Sequence, residues 1–190
     1  TNNPELAQRM RVFRNHGITT DHRQRAEQGS WFYEMVDLGY NYRITDFQCA
    51  LGESQLKKLP GWVIRRQEIA TMYDKAFADL AAVTPLQTSP SVSHAYHLYI
   101  IRFNLAHLTA DRNTLFQALR AEGIGVNVHY IPVHLHPYYR EHFDTKPGLC
   151  PVAESAYEQI ISLPMFPLMT DEDVADVVDA VSKVVAGYAA

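Results

Sequence analysis

The sequence is poor in cysteine and has no long apolar run. Cys49 and Cys150 are its only cysteines, too few for a disulfide framework. No stretch approaches the ~20 apolar residues that cross a bilayer, and the first residues lack the basic-then-apolar order of a signal peptide. These absences favour a reducing, cytoplasmic setting, in which we expect both cysteines to be buried as small apolar side chains.

Lysine and phosphate-binding motifs are scarce as well. The chain has no GxxxxGK[ST] loop, GxGxxG turn or GxSxG elbow, so a self-contained nucleotide-phosphate loop is not expected. Five lysines occur, all in polar contexts, and none is predicted to be a desolvated nucleophile. The formal net charge of −4 argues against non-specific binding to nucleic acid or anionic membranes. The hydrophobic content of 47% is typical of a globular protein.

Capping residues and hydrophobic periodicity predict a helical first part of the chain. Asn3 predicts the start of a basic helix, which Gly17 ends. Residues 19–42 have no stable period, which favours a long aromatic loop. Thr45 predicts the cap of a long helix that is kinked or broken at Pro60.

The second part mixes strands and helices. We predict strands or extended segments over 95–103, 125–133 and 163–167, and helices over 109–122 (capped by Thr109), 137–143, 151–161 and after Thr170. The change in character falls near residues 80–91. The pattern therefore predicts an α/β chain whose helical half precedes an α+β half.

The segment GYNYRITD is suited to an anion. It is a short polar-aromatic loop that leads into a helix N-terminus, where backbone N–H groups and the helix dipole favour negative charge. Arg43 adds a bidentate fork, and the Asn41 amide can donate to a phosphate oxygen. The alternative is an ordinary turn in which Arg43 pairs with Asp37 or Asp46 on the surface.

Histidine and tyrosine are concentrated between Asn127 and Tyr139. This edge segment could line a polar pocket for a hydroxyl-rich or diphosphate ligand, or its rings could stack at a domain or subunit contact. A zinc site is a third interpretation. It is disfavoured because no carboxylate or thiolate stands at a supporting spacing and Pro132 disturbs the geometry that would aim His129 and His134 together. The loop at Trp31 is equally consistent with an interface and with a small satellite core.

The order of these blocks resembles one enzyme family. TNNPELAQRMRVFRNHGI, DLGYNYRITDFQCALGESQLKKL, GIGVNVHYIPVHLHPYY and SLPMFPLMTDEDVADVVDAV follow one another along essentially the whole chain. This is similar to the nucleotide-sugar aminotransferases of the DegT/DnrJ/StrS family, with NYRITDFQCALGESQL and HYIPVHLHPYY as the most specific parts. Within the family, the second of these parts is most similar to the enzymes that make UDP-4-amino-4,6-dideoxy-N-acetyl-β-L-altrosamine for pseudaminic acid.

The resemblance implies a fold-type I, pyridoxal 5′-phosphate-dependent homodimer. It moves an amino group from glutamate, which leaves as 2-oxoglutarate, to the keto carbon of a nucleotide-linked 4-keto deoxysugar. Asn41 matches the family Asn that reaches across the dimer to the partner's cofactor phosphate, and Arg43 matches an Arg that serves the phosphate or the sugar diphosphate. We predict that the substrate contacts Tyr40, Asn127, His129, Tyr130, His134 and Tyr138.

The same resemblance implies that catalytic parts of the family lie outside this sequence. The family's Schiff-base lysine would precede Thr1, and family chains are about twice as long. We therefore expect residues 1–82 to be the remainder of a large cofactor-binding domain with its linking helix, residues 83–190 to be a small C-terminal α+β domain, and the chain alone to be inactive. A non-catalytic binding or dimerisation module fits the same residues.

Overall fold

The computed structural model describes residues 1–190. The chain consists of two compact units, unit 1 (Thr1–Lys57) and unit 2 (Lys58–Ala190). The helices are α1 (Pro4–Phe13), α2 (His22–Glu27), α3 (Asp46–Phe77), α4 (Arg112–Ala121), α5 (Pro137–His142), α6 (Pro151–Tyr157) and α7 (Asp171–Gly187). The strands are β1 (Val83–Pro85), β2 (Tyr99–Phe103) and β3 (Ile160–Leu163). No helix combines the length and apolar character that a membrane span requires. The expected domains, 1–82 and 83–190, stay a prediction.

Side-chain caps begin the helices of unit 1. The Asn3 side chain accepts a hydrogen bond from the Leu6 backbone at 3.0 Å, which confirms the predicted start of α1. Helix α2 lies in the stretch that was expected to be a loop. Its cap is reciprocal, because Asp21 accepts from the Gln24 backbone and the Gln24 side chain accepts from the Asp21 backbone, both at 2.9 Å.

Two extended segments of unit 1 run antiparallel at very short range. The Tyr40 backbone N–H donates to Phe13 at 2.8 Å, and the His16 N–H donates to the Tyr40 carbonyl at 3.0 Å. Glycines permit this approach: a Cβ at Gly39 would lie 2.1 Å from the Gly17 nitrogen, and Gly17 itself has a φ of +72°. The backbone that carries the predicted anion loop is therefore held by main-chain bonds to the end of α1.

Unit 1 has no apolar core of its own. Gly17 is its only buried residue. Large apolar side chains that would fill a core elsewhere are exposed throughout it, including Phe47 at 80%, Trp31 at 84% and Met10 at 57%. Burial of apolar surface, the main stabilising contribution in most domains, is thus almost absent from these 57 residues.

Helix α3 is one continuous helix. Thr45 and Gln48 form the predicted cap, with the Thr45 N–H donating to the Gln48 side chain at 3.0 Å. Helical structure continues through Pro60 to Phe77, so a break at this residue is wrong, and a kink there stays a prediction. Proline leaves the Leu56 carbonyl without its helical donor, but residues 56–61 are exposed, so water can hydrogen bond that oxygen.

Unit 2 contains a three-stranded antiparallel sheet in the order β1-β2-β3. Val83 pairs with Phe103, and Ile101 pairs with Ile161 across the sheet centre. The hydrophobic core of the chain lies in this unit and is built from the sheet, the last part of α3, α4 and α7. Its largest fully buried side chains are Tyr73, Phe77, Phe103, Ile69, Ile101, Leu115, Leu119, Ile161, Val174 and Val181.

Several local predictions in unit 2 need correction. Asp111, not Thr109, caps α4, because the Asp111 carboxylate accepts from the Thr114 backbone at 2.8 Å. The predicted strand over 125–133 is reduced to a bridge between Asn127 and Ser162, since Pro132 has no N–H to donate. The predicted helix over 151–161 ends early, because Ile160 and Ile161 join the sheet as β3.

Other predictions hold. The box formed by Thr170 and Asp173 caps α7, and the predicted short helix is observed as α5. The prediction that both cysteines are buried is wrong, since Cys49 and Cys150 are free and exposed.

Candidate functional site

The predicted anion loop places polar donors at the surface of unit 1. The Arg43 Nε donates to the Asn41 Oδ1 at 2.9 Å, and an Arg43 terminal nitrogen lies 3.5 Å from the His16 ring. No carboxylate pairs with Arg43, so the alternative of a surface ion pair with Asp37 or Asp46 is wrong. No local motif indicates that His16 belongs to this cluster, because it lies 27 residues before Arg43.

The orientation of the Asn41 amide follows from this contact. Its oxygen already accepts from Arg43, so its Nδ2 hydrogens are left as outward donors. The guanidinium keeps further N–H groups that no protein acceptor uses. The pair therefore presents several N–H donors, which are the groups that a phosphate oxygen requires.

An aromatic group supports the same loop. Tyr40 contacts Phe13 edge-on with a 5.2 Å centroid distance and stacks on Tyr42 at 5.1 Å. Tyr40, a predicted substrate residue, remains 46% exposed. Its ring is therefore held in place while one side stays open to a ligand.

The loop that precedes it does not form a satellite core. Trp31, Phe32 and Tyr33 are 84%, 54% and 52% exposed. Arg25 lies 4.8 Å over the Tyr33 ring, which is a cation–π contact at the surface. The satellite-core interpretation is thus wrong, and an interface at this loop stays a prediction.

In unit 2 the sheet edge positions the Asn127–Tyr130 segment. Asn127 and Ser162 exchange two backbone hydrogen bonds, at 3.2 and 2.8 Å. The Ser162 Oγ lies 2.8 Å from the His129 Nδ1. Ser162 is 4% exposed, and this ring is the hydrogen-bond partner of its hydroxyl. Its polar side chain inside the apolar run IISLP is the sequence signal that could have indicated a special role for Ser162.

The Ser162 contact limits what His129 can do. With Nδ1 engaged by the hydroxyl, the half-buried ring has Nε2 as its remaining polar atom. The adjacent Tyr130 is 70% exposed and meets the His129 ring edge-on at 4.7 Å. These two neighbours form a pair of polar groups available to a ligand, as predicted for a substrate segment.

His134 occupies a different environment. It is 9% exposed, and its Nε2 lies 2.7 Å from the Glu154 carboxylate. Glu154 also accepts from the Gly148 N–H at 2.8 Å, and this bond, followed by the His134 contact, lowers the pKa of the Glu154 carboxyl below its usual range. The predicted substrate contact of His134 stays a prediction, and its Nε2 is already bound within the protein.

Tyr138 is at the surface of α5. It is 59% exposed and stacks on His142 with a 4.4 Å centroid distance. The structure thus brings Asn127, His129 and Tyr130 together on one segment, and Asn41, Arg43 and Tyr40 on another, in unit 1. The two groups belong to different units.

The chain has neither a group of side chains suited to a metal ion nor a buried lysine suited to act as a nucleophile. No three His, Cys, Asp or Glu side chains are grouped so that they could hold a metal ion. All five lysines are exposed, and two of them are ion-paired, Lys57 with Glu53 at 2.8 Å and Lys183 with Glu122 at 2.7 Å. None has the desolvated surroundings in which a Schiff-base lysine acts as a nucleophile.

Comparison with known proteins decides the family. A sequence model of the DegT/DnrJ/EryC1/StrS aminotransferase family matches residues 1–182. The chain belongs to this family. The resemblance inferred from the order of the sequence blocks is therefore confirmed.

Three relatives illustrate the match. The spore coat polysaccharide biosynthesis protein SpsC of Bacillus subtilis is 39% identical over 189 residues, which are 98% of this chain and 49% of SpsC. PseC of Helicobacter pylori, an aminotransferase involved in the biosynthesis of pseudoaminic acid, is 32% identical with a TM-score of 0.86, over 99% of this chain and 48% of PseC. The PLP-form of the putative sugar aminotransferase Spr1654 of Streptococcus pneumoniae is 29% identical with a TM-score of 0.82. The match covers 98% of this chain and 45% of Spr1654.

The chain spans about half the length of these relatives. Its mixed helix-and-strand structure matches solved aminotransferases over that half, which confirms the predicted fold class.

Proposed function

We propose that this chain is the part of a pyridoxal 5′-phosphate-dependent sugar aminotransferase that anchors the cofactor phosphate and shapes the substrate pocket. The observation that carries this proposal is the Asn41–Arg43 pair, which keeps several N–H donors without a protein acceptor. Family membership and the PLP-form of Spr1654 support the choice of cofactor. The names of SpsC and PseC support a role in making surface glycan precursors. Following the family resemblance, we propose a nucleotide-linked 4-keto deoxysugar as amino acceptor and glutamate as donor.

The residues present fit one end of this cofactor. Asn41 Nδ2 and the Arg43 guanidinium would hold its phosphate, and the backbone bonds to His16 and Phe13 would keep both groups in place. Following the family, we propose that they do so for the partner subunit of a homodimer. When bound, the cofactor supplies the carbonyl that carries the amino group and a ring that stabilises negative charge at the donor's α-carbon.

The residues of unit 2 would serve the sugar. Tyr130 is exposed, and the His129 Nε2 has no hydrogen-bond partner in the protein, while Ser162 fixes the other side of the imidazole. They would hydrogen bond sugar hydroxyls and orient the keto carbon. No lysine here fits the role of proton shuttle, so we propose that it comes from a part of the enzyme outside these 190 residues and that this chain alone is inactive.

The test replaces Asn41 in the complete enzyme. Charge-assisted hydrogen bonds contribute roughly 1.5–3 kcal/mol, so Asn41→Ala is expected to weaken cofactor affinity by about ten-fold or more. Asn113→Ala, an exposed substitution on α4, is the matched control and should leave affinity unchanged. Equal affinity of Asn41→Ala and the parent protein would contradict the assignment.

A second function stays open for the chain by itself. The absence of a suitable lysine among the residues described fits a non-catalytic binding or dimerisation module derived from the same family. Incubating the 190-residue chain with cofactor, glutamate and a 4-keto nucleotide sugar separates the two. No amino transfer is expected from this chain alone. Transfer restored by a lysine-bearing partner polypeptide would support the enzyme, and its absence with every such partner would favour the module.

A further inference from the structure

A buried histidine is paired with a carboxylate in unit 2. His134 follows the Asn127–Tyr130 segment in the chain, lies in a single turn of 3-10 helix, Val133–Leu135, and is 9% exposed. Its Nε2 lies 2.7 Å from the carboxylate of Glu154 in α6. The Thr145 hydroxyl donates to the His134 carbonyl, also at 2.7 Å. The residue is therefore held both at its ring and at its backbone.

The Glu154 carboxylate acts only as an acceptor. The Gly148 N–H donates to both of its oxygens at 2.8 Å, and the Cys150 N–H donates to one of them at 3.2 Å. Backbone N–H groups can only donate, and such bonds stabilise the ionised form of a carboxyl group. An ionised carboxylate has no hydrogen of its own to donate. The hydrogen in its contact with His134 therefore belongs to the imidazole.

This contact decides which ring nitrogen of His134 can accept a hydrogen bond. With the hydrogen of the neutral imidazole on Nε2, Nδ1 keeps its lone pair. Nδ1 has no hydrogen-bond partner in the protein. Among residues that are not exposed, the Arg112 Nε is the only fully buried side-chain nitrogen or oxygen without a partner. The Nδ1 of His134 is therefore not sealed inside the protein, and a ligand can reach it.

We propose that Glu154 is a positioning residue that holds the His134 ring with Nδ1 as a hydrogen-bond acceptor for a hydroxyl group of the sugar substrate. Hydroxyl groups can donate, whereas ionised phosphate oxygens only accept, so this nitrogen favours the sugar over a phosphate. Asn41 and Arg43 present the opposite groups, N–H donors. The choice of a sugar rests on the proposed function, and the position of the ring hydrogen rests on the contacts of Glu154 alone.

The first test locates the ring hydrogen of His134 without any ligand. Nitrogen NMR of the 190-residue chain is measured at about pH 8.5, where an ordinary imidazole is neutral. We expect Nε2 to be protonated and Nδ1 to be unprotonated. A hydrogen on Nδ1, or a mixture of the two forms, would overturn the proposal.

Glu154→Gln tests whether the carboxylate sets this arrangement. A glutamine amide can donate as well as accept, so a measurable share of the His134 rings should move their hydrogen to Nδ1. Glu158→Gln makes the same charge change at an exposed position just after α6 and should leave the His134 spectrum as it is. An unaltered spectrum in Glu154→Gln, or equal changes in both variants, would refute Glu154 as the positioning residue.

The binding test uses the complete enzyme, with a UDP-linked 4-amino-4,6-dideoxy-N-acetylhexosamine as the probe. Because one hydrogen bond to the sugar is weakened, Glu154→Gln should bind the probe about three- to ten-fold less tightly, with cofactor affinity within about two-fold of the parent. Glu158→Gln should match the parent in both. Unchanged probe affinity in Glu154→Gln would refute the proposal. An equal loss of cofactor affinity would refute it as well, since it would indicate a general disturbance of the fold.

The parent enzyme separates this inference from the proposed function. No binding of the probe by the parent would contradict the proposed function, and with it the sugar as the ligand of His134. Normal binding by both the parent and Glu154→Gln would contradict only the role of Glu154.

Discussion

The two units of this chain are stabilised in opposite ways. Unit 2 has a contiguous buried core around its sheet, with Phe103 and Ile101 at 0% exposure. Unit 1 buries no apolar side chain and relies on helix caps and the main-chain bonds between Phe13–Gly17 and Val36–Tyr42. Main-chain hydrogen bonds therefore position the residues proposed to hold phosphate, whereas a buried core positions the residues proposed to hold the sugar.

Core truncation should show the largest contrast between the units. Phe103→Ala is expected to destabilise unit 2 by about 3–5 kcal/mol, because it leaves a cavity in a closely packed interior. Phe47→Ala, at an 80% exposed position of unit 1, should cost less than about 0.5 kcal/mol. Urea unfolding measures the free energy of unfolding of each variant. Similar destabilisation by the two substitutions would contradict the finding that only unit 2 has a buried core.

A glycine substitution should disturb unit 1 alone. In Gly39→Ala the added Cβ would meet the Gly17 nitrogen at 2.1 Å and the Phe13 carbonyl oxygen at 2.7 Å, so the antiparallel pair must separate. We expect loss of amide protection at His16 and Tyr40 with unit 2 unchanged, measured by hydrogen exchange. Gly52→Ala is the control: nothing lies within 4 Å of its Cβ, and alanine should stabilise the helix by about 0.5–1 kcal/mol.

Acid should lower the stability of unit 2 by protonating the Glu154 carboxylate. The pKa of Glu154 is lowered in the fold, so its carboxylate stabilises unit 2 at pH values above the ordinary glutamate pKa, and this contribution is lost as the pH falls through the lowered value. Glu154→Gln should therefore flatten the acid limb of the stability profile of unit 2. Glu158→Gln, an exposed neighbour, should keep that limb. If Glu154→Gln followed the parent profile, the hydrogen bonds of the Glu154 carboxylate with the Gly148 N–H and with His134 would have no role in acid stability.

The smallest effect is expected at the sheet edge. Ser162→Ala removes the partner of the His129 Nδ1 and should cost about 1 kcal/mol, since one hydrogen bond is lost beside a half-buried ring. Nitrogen NMR of His129 should show a changed tautomer balance. Ser155→Ala leaves His129 untouched and serves as control. An unaltered His129 spectrum in Ser162→Ala would contradict the assignment of Ser162 as the residue that positions the His129 ring.

The sequence predicts what is coded locally. Asn3, Thr45 and the Thr170 box mark helix starts because a cap needs only the next three residues. Pro60 does not end α3, because a proline inside an exposed helix can be tolerated when water satisfies the freed carbonyl.

The site is only partly predictable for the same reason. Asn41 and Arg43 stand two residues apart, and their pattern indicates an anion site. His16 lies 27 residues from Arg43, and Ser162 lies 33 residues from His129. Contacts at such separations depend on tertiary structure, and nothing in the local pattern specifies them.

The most direct test of the account is a crystal structure of the complete enzyme with bound pyridoxal 5′-phosphate. We expect the Asn41 Nδ2 to lie at hydrogen-bond distance, about 2.7–3.2 Å, from an oxygen of the cofactor phosphate held by the partner subunit. An Asn41 side chain that faces bulk water in every subunit, with the phosphate bound elsewhere, would contradict it.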